Sequence, residues 1–264
     1  MDLVINLLIG VLSGTAVAAY NMSRPAQLWK LIIIGIIGAW FPSIDEITLW
    51  SSFDAVVGTA LGLTSSGTEI YFGKFWYSHQ AFFHSIFSVI LFSILLALAA
   101  GWFYRYILKG ASTYARATRY CSIYAIVFGL AYLLHLGGDL VAPGGPWGGI
   151  RLFFPFEVYI GGWGFTWWWN NYDLALILLV CSILNIAFIY IIPPLRKGMR
   201  QLPGGILILA VLLIGVQLGK RDFDFNRPGY SVREHASKEI QRHMLGESLF
   251  SAMEEVDETL PIYF

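Results

Sequence analysis

The sequence predicts an all-α, polytopic integral membrane protein with about six transmembrane helices, a short re-entrant or interfacial helix and a polar C-terminal tail. Composition is the first reason. Of 264 residues, 57% are hydrophobic and 13% charged, and the mean hydropathy is +0.64. A soluble domain carries about 25% charged residues, so this excess of apolar surface needs lipid. Segment length is the second reason. A bilayer is crossed by about 20 apolar residues, and runs of roughly that length recur at 3–20, 29–41, 81–104, 118–141, 172–192 and 204–219. The third is the placement of Lys and Arg, which alternates between the connecting loops.

The segment at 3–20 follows Met-Asp-Leu-Val, which has no basic leader and no convincing cleavage site, so it is read as a retained helix. The run at 29–41 is short and is extended by a snorkelling Lys30 and an interfacial Trp40, with Pro42 ending it. Ala55 to Leu63 is apolar but too short to cross, which suggests the re-entrant or interfacial piece. Loop 142–171 is rich in Gly and aromatic residues, including Trp163 and Trp167 to Trp169. It reads as an aromatic belt at the lipid–water boundary or as a floor for an amphiphilic substrate. Asn170 or Asn171 is placed to cap the next helix, with Asp173 in its first turn. Cys121 and Cys181 sit in apolar runs and read as small buried hydrophobes.

The domain boundary falls at 219/220. Residues 1–219 form the membrane-embedded part. Residues 220–264 hold 15 of the charged side chains, of which the chain has 17 basic and 17 acidic. In this extramembranous tail Val232, Ala236, Ile240 and Met244 repeat every four residues, the pattern of an amphipathic helix. His235, Glu239 and His243 form a second stripe, read as a solvated face in preference to a metal site. The tail is also the natural place for a protein partner. A net charge of zero gives no sign of nucleic-acid binding.

Arg24 and Lys30 flank the first turn. Arg105, Lys109, Arg116 and Arg119 lie between spans three and four, and Arg196, Lys197 and Arg200 between spans five and six. The opposite loops, 42–80 and 142–171, contain only Lys74 and Arg151. By the positive-inside rule the first set is cytoplasmic, and both termini lie on the other side. That topology puts Asp45, His79, His84, His135 and Asp139 at one outer end of their helices.

These residues carry the functional expectation. His135 and Asp139 are four apart and project from one helical face, a common two-ligand arrangement for Zn, Mn or Fe. His79 and His84 are five apart, which turns them by about 140° on a straight helix. They reach one site only if His79 precedes the helix and His84 lies in its first turn. An Asp at a helix centre in the bilayer costs roughly 2.5–3.5 kcal/mol and is usually functional. A divalent metal, zinc first, would lower the pKa of water toward about 7. Asp45 or Glu46 would act as base or bridging ligand, and Arg151 would hold a phosphate. A purely structural His–Asp network, in a non-enzymatic scaffold or stress-response protein, meets the same desolvation requirement. A proton- or metal-coupled transporter ranks behind both, since the groups cluster at one end of the spans.

The ordered set resembles the LexA-regulated inner-membrane metal-dependent hydrolases. Its pieces are Pro42-Ser43-Ile44-Asp45-Glu46, His79-Gln80-Ala81-Phe82-Phe83-His84-Ser85, His135 to Asp139, and Ala142-Pro143 through Arg151-Leu152-Phe153-Phe154-Pro155-Phe156. The resemblance covers roughly residues 1–160. It implies an inner-membrane location, a distant relation to zinc-dependent phospholipase C and allied nucleases, and a multi-metal phosphoesterase site. The substrate it implies is an ester or phosphoester of a membrane lipid or other amphiphile. Ser43 stands where the family has Asp, and Glu46 where it has His. Asn6, where the family has an N-terminal His, is the sixth implied metal ligand.

Overall fold

A computed structural model describes residues 3–21, 28–191, 199, 201–221 and 230–259. Its helices are α1 (Leu3–Asn21), α2 (Leu28–Trp40), α3 (Thr59–Leu61), α4 (Gly67–Phe72), α5 (Ile86–Trp102), α6 (Tyr114–Val141), α7 (Tyr172–Ile191), α8 (Leu202–Gly219), α9 (Tyr230–Leu245) and α10 (Glu247–Thr259). The fold is all-α, with no strands among the described residues, only two isolated bridges. Five segments are long and apolar enough to cross a bilayer: Leu28–Leu49, Ile86–Ile107, Tyr114–Val141, Tyr172–Tyr190 and Leu202–Gly219. A shorter apolar helix, Leu3–Ala19, accompanies them.

The chain divides into two compact units, residues 1–39 with 164–264, and residues 40–163. In the first, α1 and α2 pack backbone to backbone. A Cβ on Gly14 would lie 2.7 Å from Ile32 Cα, and one on Gly10 would meet Ile36 Cα. Lipid-embedded helices gain little from apolar burial and associate through such small-residue contacts and through buried polar links. The polar link here is Asn185 on α7, whose amide donates to Thr15 Oγ1 (3.2 Å) and to the Pro203 carbonyl (3.3 Å).

The C-terminal helices belong to this unit. Gln241 is fully buried on α9. It accepts from the Tyr172 backbone N–H (2.7 Å), at the first residue of α7, and donates to the Asn170 carbonyl (2.6 Å). The N-terminal end of α7, which a nearby Asn was expected to cap, is therefore met from the tail. Asn171 instead donates to the Trp167 carbonyl and accepts from Arg221 (3.0 Å).

In the second unit α5 and α6 form an antiparallel pair. Span boundaries differ from expectation: α6 begins at Tyr114, four residues before 118, and two other ends also shift. Pro42 ends the α-helix at Trp40, but Phe41–Leu49 continues as a 3-10 helix with Pro42 at its start, where the missing N–H is harmless. The third span begins at Ile86 and not at 81, because the Ser85 hydroxyl accepts the Ser88 N–H (3.1 Å) and caps α5 there. Ala81-Phe82-Phe83 is apolar, yet it lies in turns that follow Gln80, whose φ is 62°. The apolar piece at Ala55–Leu63 forms a short π turn (Asp54–Gly58) continued by α3. Arg24, Arg196, Lys197 and Arg200, on which the orientation largely rests, lie outside the described residues.

Candidate metal centre

Three separate elements of the second unit deliver the five expected groups to one place. Asp45 comes from the 3-10 helix, which is held by Phe41 packing against Phe83, Phe92, Phe128 and Tyr132. His79 and His84 come from the turns before α5. These turns are pinned from loop 142–163, where the Arg151 N–H donates to the Gln80 carbonyl (2.8 Å) and the Ile86 N–H to the Leu152 carbonyl (3.0 Å). Tyr132 on α6 donates through its hydroxyl to the Phe83 carbonyl. His135 and Asp139 stand one turn apart on α6. The helical constraint on His79 and His84 is met differently from expectation. His84 is not in the first turn of α5 but immediately before its capping residue, so both histidines lie in non-helical backbone.

All five side chains are buried. His79 Nδ1 lies 2.8 Å from Asp45 Oδ1, and His135 Nε2 lies 3.0 Å from Asp139 Oδ2. His84 stands between these two pairs. Its Nδ1 is 3.7 Å from Asp45 Oδ2 and its Nε2 is 3.4 Å from Asp139 Oδ2. Neither His84 ring nitrogen makes a hydrogen bond, and neither does Asp45 Oδ2. Two groups of three thus share one imidazole: Asp45, His79 and His84, and His84, His135 and Asp139. In each group one ligand atom per residue lies within 4.8 Å of the others. Burial, then the neighbouring His79, pushes the His84 pKa down to about 3, against the opposing pull of Asp45 and Asp139. A neutral imidazole with a free lone pair is the form that binds a metal.

The remaining expected residues are placed otherwise. Glu46 is exposed and belongs to neither group. Asn6 is buried on α1, in the first unit, whereas both groups are built from second-unit residues alone. Arg151 is buried, and its Nε and Nη2 donate to the carbonyls of Phe156 (3.1 Å) and Pro155 (2.8 Å). On α9, Glu239 pairs with Arg242 (2.8 Å), and the stripe with His235 and His243 forms no metal-competent group among the described residues.

Three neighbours of the cluster were not foreseen. Tyr71 stacks on His79 with centroids 4.4 Å apart and planes at 12°. Burial, then the charges of Glu46, Asp45 and Asp139, raises its phenol pKa well above the ordinary value. Trp147 meets His79 edge-on at 4.9 Å and donates from its indole N–H to the Tyr71 carbonyl (3.1 Å). Gln80 Nε2 lies 3.1 Å from His79 Nε2. With Asp45 accepting at Nδ1, that nitrogen is left as the acceptor for the amide. Gln80, adjacent to His79, had a sequence signal in its position. Tyr71 and Trp147 had none.

A family model described as YdjM inner membrane protein matches residues 1–221. No curated protein and no solved structure matches the chain. The chain belongs to this family and is a multi-pass inner membrane protein.

Proposed function

We propose that this member of the YdjM inner membrane protein family is a metal-dependent hydrolase. Its substrate class is an ester or phosphoester of a lipid or another amphiphile, taken at the outer face of the membrane. One observation carries the proposal: a fully buried imidazole between two carboxylates, hydrogen-bonded to neither. A buried polar atom without a partner costs about 1–3 kcal/mol, and a cation at either His84 nitrogen removes that penalty. The donor set of imidazole and carboxylate suits Zn, and also Mn or Fe.

Each group offers three protein ligands, the number typical of catalytic zinc sites that keep one position open. A divalent metal supplies Lewis acidity and lowers the pKa of water toward about 7. His79 would coordinate through the ring nitrogen it gives up from Asp45 or Gln80, while the other contact fixes the ring. Tyr71 stays protonated and offers a hydroxyl donor to oxygen that gains charge during bond cleavage. Glu46, one residue from Asp45 and exposed, is the carboxylate free to move a proton to or from solvent. Arg151 keeps Nη1 for a phosphate while its other nitrogens hold loop 151–156.

Protein purified without chelators is expected to contain stoichiometric Zn, Mn or Fe and to cleave a chromogenic phosphodiester in mixed micelles. His135→Ala is expected to lose at least tenfold in rate. Absence of metal together with a silent His135→Ala sinks the proposal and leaves a non-enzymatic scaffold.

A further inference from the structure

A cavity of about 660 Å³ opens between the end of α8 and α9, lined by Gln217, Lys220, Glu239, Ile240, His243 and Met244. We propose that it binds the headgroup of a zwitterionic phospholipid whose amine is primary, of the phosphoethanolamine class.

Depth is the first argument. Lys220 directly follows the membrane-spanning segment Leu202–Gly219, so the cavity sits where a span leaves the hydrocarbon. Leu209, Leu213, Val216 and Lys220 fall on one helical stripe, at i, i+4, i+7 and i+11. The three apolar members are 47%, 42% and 57% exposed. Eleven residues rise about 16 Å, close to half of a hydrocarbon core about 30 Å thick. An acyl chain lying along this stripe therefore ends with its phosphate at Lys220.

Chemistry is the second. Lys220 and His243 supply donors for a phosphate, and Glu239 supplies the one anionic acceptor of the lining. Glu239 already accepts from Arg242 Nη1 through Oε1 (2.8 Å), but a carboxylate offers about four lone-pair sites, enough for an ammonium as well. A quaternary ammonium is best held by aromatic faces, and this lining has none. An anionic headgroup without an amine would leave Glu239 facing negative charge. Gln217 shapes the floor, donating to Asp173 Oδ2 (3.0 Å) and to Met244 Sδ (3.2 Å). Glu239, Ile240, His243 and Met244 lie beyond residue 221, outside the family match, so the site would be a property of this chain's own tail.

The test is native mass spectrometry of the full chain in detergent. Phosphatidylethanolamine, phosphatidylcholine and phosphatidylglycerol with identical acyl chains are titrated in turn. The ethanolamine lipid is expected to bind about tenfold tighter than the other two, the factor given by one charge-assisted pair. Lys220→Gln is expected to weaken all three lipids. Glu239→Gln is expected to bring the ethanolamine lipid down to the choline level while leaving the choline lipid unchanged. Both residues are exposed, and Arg242 keeps Glu247 and Glu254 as partners, so an unchanged melting temperature verifies the fold. Equal affinity for the three lipids, or an ethanolamine preference that survives Glu239→Gln, overturns the proposal. So does glycerophosphoethanolamine competing at the same concentration as the lipid, which would place recognition in a soluble headgroup.

Discussion

His84→Leu separates a ligand from a structural residue. A structural histidine holds its surroundings through hydrogen bonds, and replacing it leaves partners unmet. His84 has no such bonds, and it is 0% exposed. Removing two buried nitrogens without partners recovers about 1–3 kcal/mol, and the shape change from imidazole to isobutyl returns up to about 1.5 kcal/mol of that. The metal-free variant is therefore expected to lie between about 0.5 kcal/mol less stable than the parent and about 3 kcal/mol more stable. Metal binding responds in the opposite direction. Without His84 the two groups fall apart into Asp45–His79 and His135–Asp139, pairs already closed by contacts of 2.8 and 3.0 Å. Loss of an outer-shell partner alone lowers metal affinity 10–100-fold, so loss of the shared ligand is expected to lower it by at least about 100-fold. His135→Ala, by contrast, leaves Asp45, His79 and His84 intact. Elemental analysis and chelator competition read the metal, and unfolding by SDS in mixed micelles reads stability. A His84→Leu protein that keeps its metal, or that loses more than about 2 kcal/mol when metal-free, refutes the reasoning.

Further outcomes follow from other contacts. Arg221→Met is expected to destabilise by about 3–5 kcal/mol, because it strands the buried Asp173 carboxylate that Arg221 pairs with. Adding Asp173→Leu to that variant is expected to recover most of the loss in the same SDS titration. Gly10→Leu is expected to destabilise by about 1–3 kcal/mol or more, since even its Cβ meets Ile36 backbone, and a cross-link between α1 and α2 should report the separation. The pH dependence of the metal-free protein has a definite sign. His84 titrates near 6.5 when unfolded and at about 3 when folded, so the unfolded chain binds the extra proton between those values. Stability should fall as pH drops from 6.5 toward 3, and His84→Leu should remove that part of the slope in melting temperatures measured across the window.

The spans were legible because lipid leaves few solutions. A backbone in hydrocarbon must bond to itself, so each of the six apolar runs reads as a helix; five are long and apolar enough to cross, and Leu3–Ala19 is shorter. Their ends were less legible, because hydropathy does not register caps. Ala81-Phe82-Phe83 counts as span, while one hydroxyl, that of Ser85, sets the start of α5 five residues later. The five clustered groups could be named because ionisable residues are rare in such a chain. Tyr71 and Trp147 could not, because aromatic residues are common here, and their contacts with His79 cross 8 and 68 positions of sequence without any period to announce them. The boundary at 219/220 marks a real change in composition. Packing disregards it, since Gln241 reaches back to the start of α7 and Arg221 to Asp173.

Among the described residues, two kinds of buried ionisable group stand out. Asp173 accepts from Arg221, from Gln217 and from its neighbour's backbone at Leu174. Arg221 in turn donates to Asn171 and to the Phe165 carbonyl. A charge there is met from several directions by groups of the chain, which is how a buried ion pair offsets its desolvation. His84 and Asp45 Oδ2 are as deeply buried and lack any such bond. The same fold that brings donors to Asp173 brings none to His84, although it places two carboxylates within 4 Å of the ring. Under the reading proposed above, a cation would supply the contact that the chain does not give His84, at whichever ring nitrogen carries the lone pair.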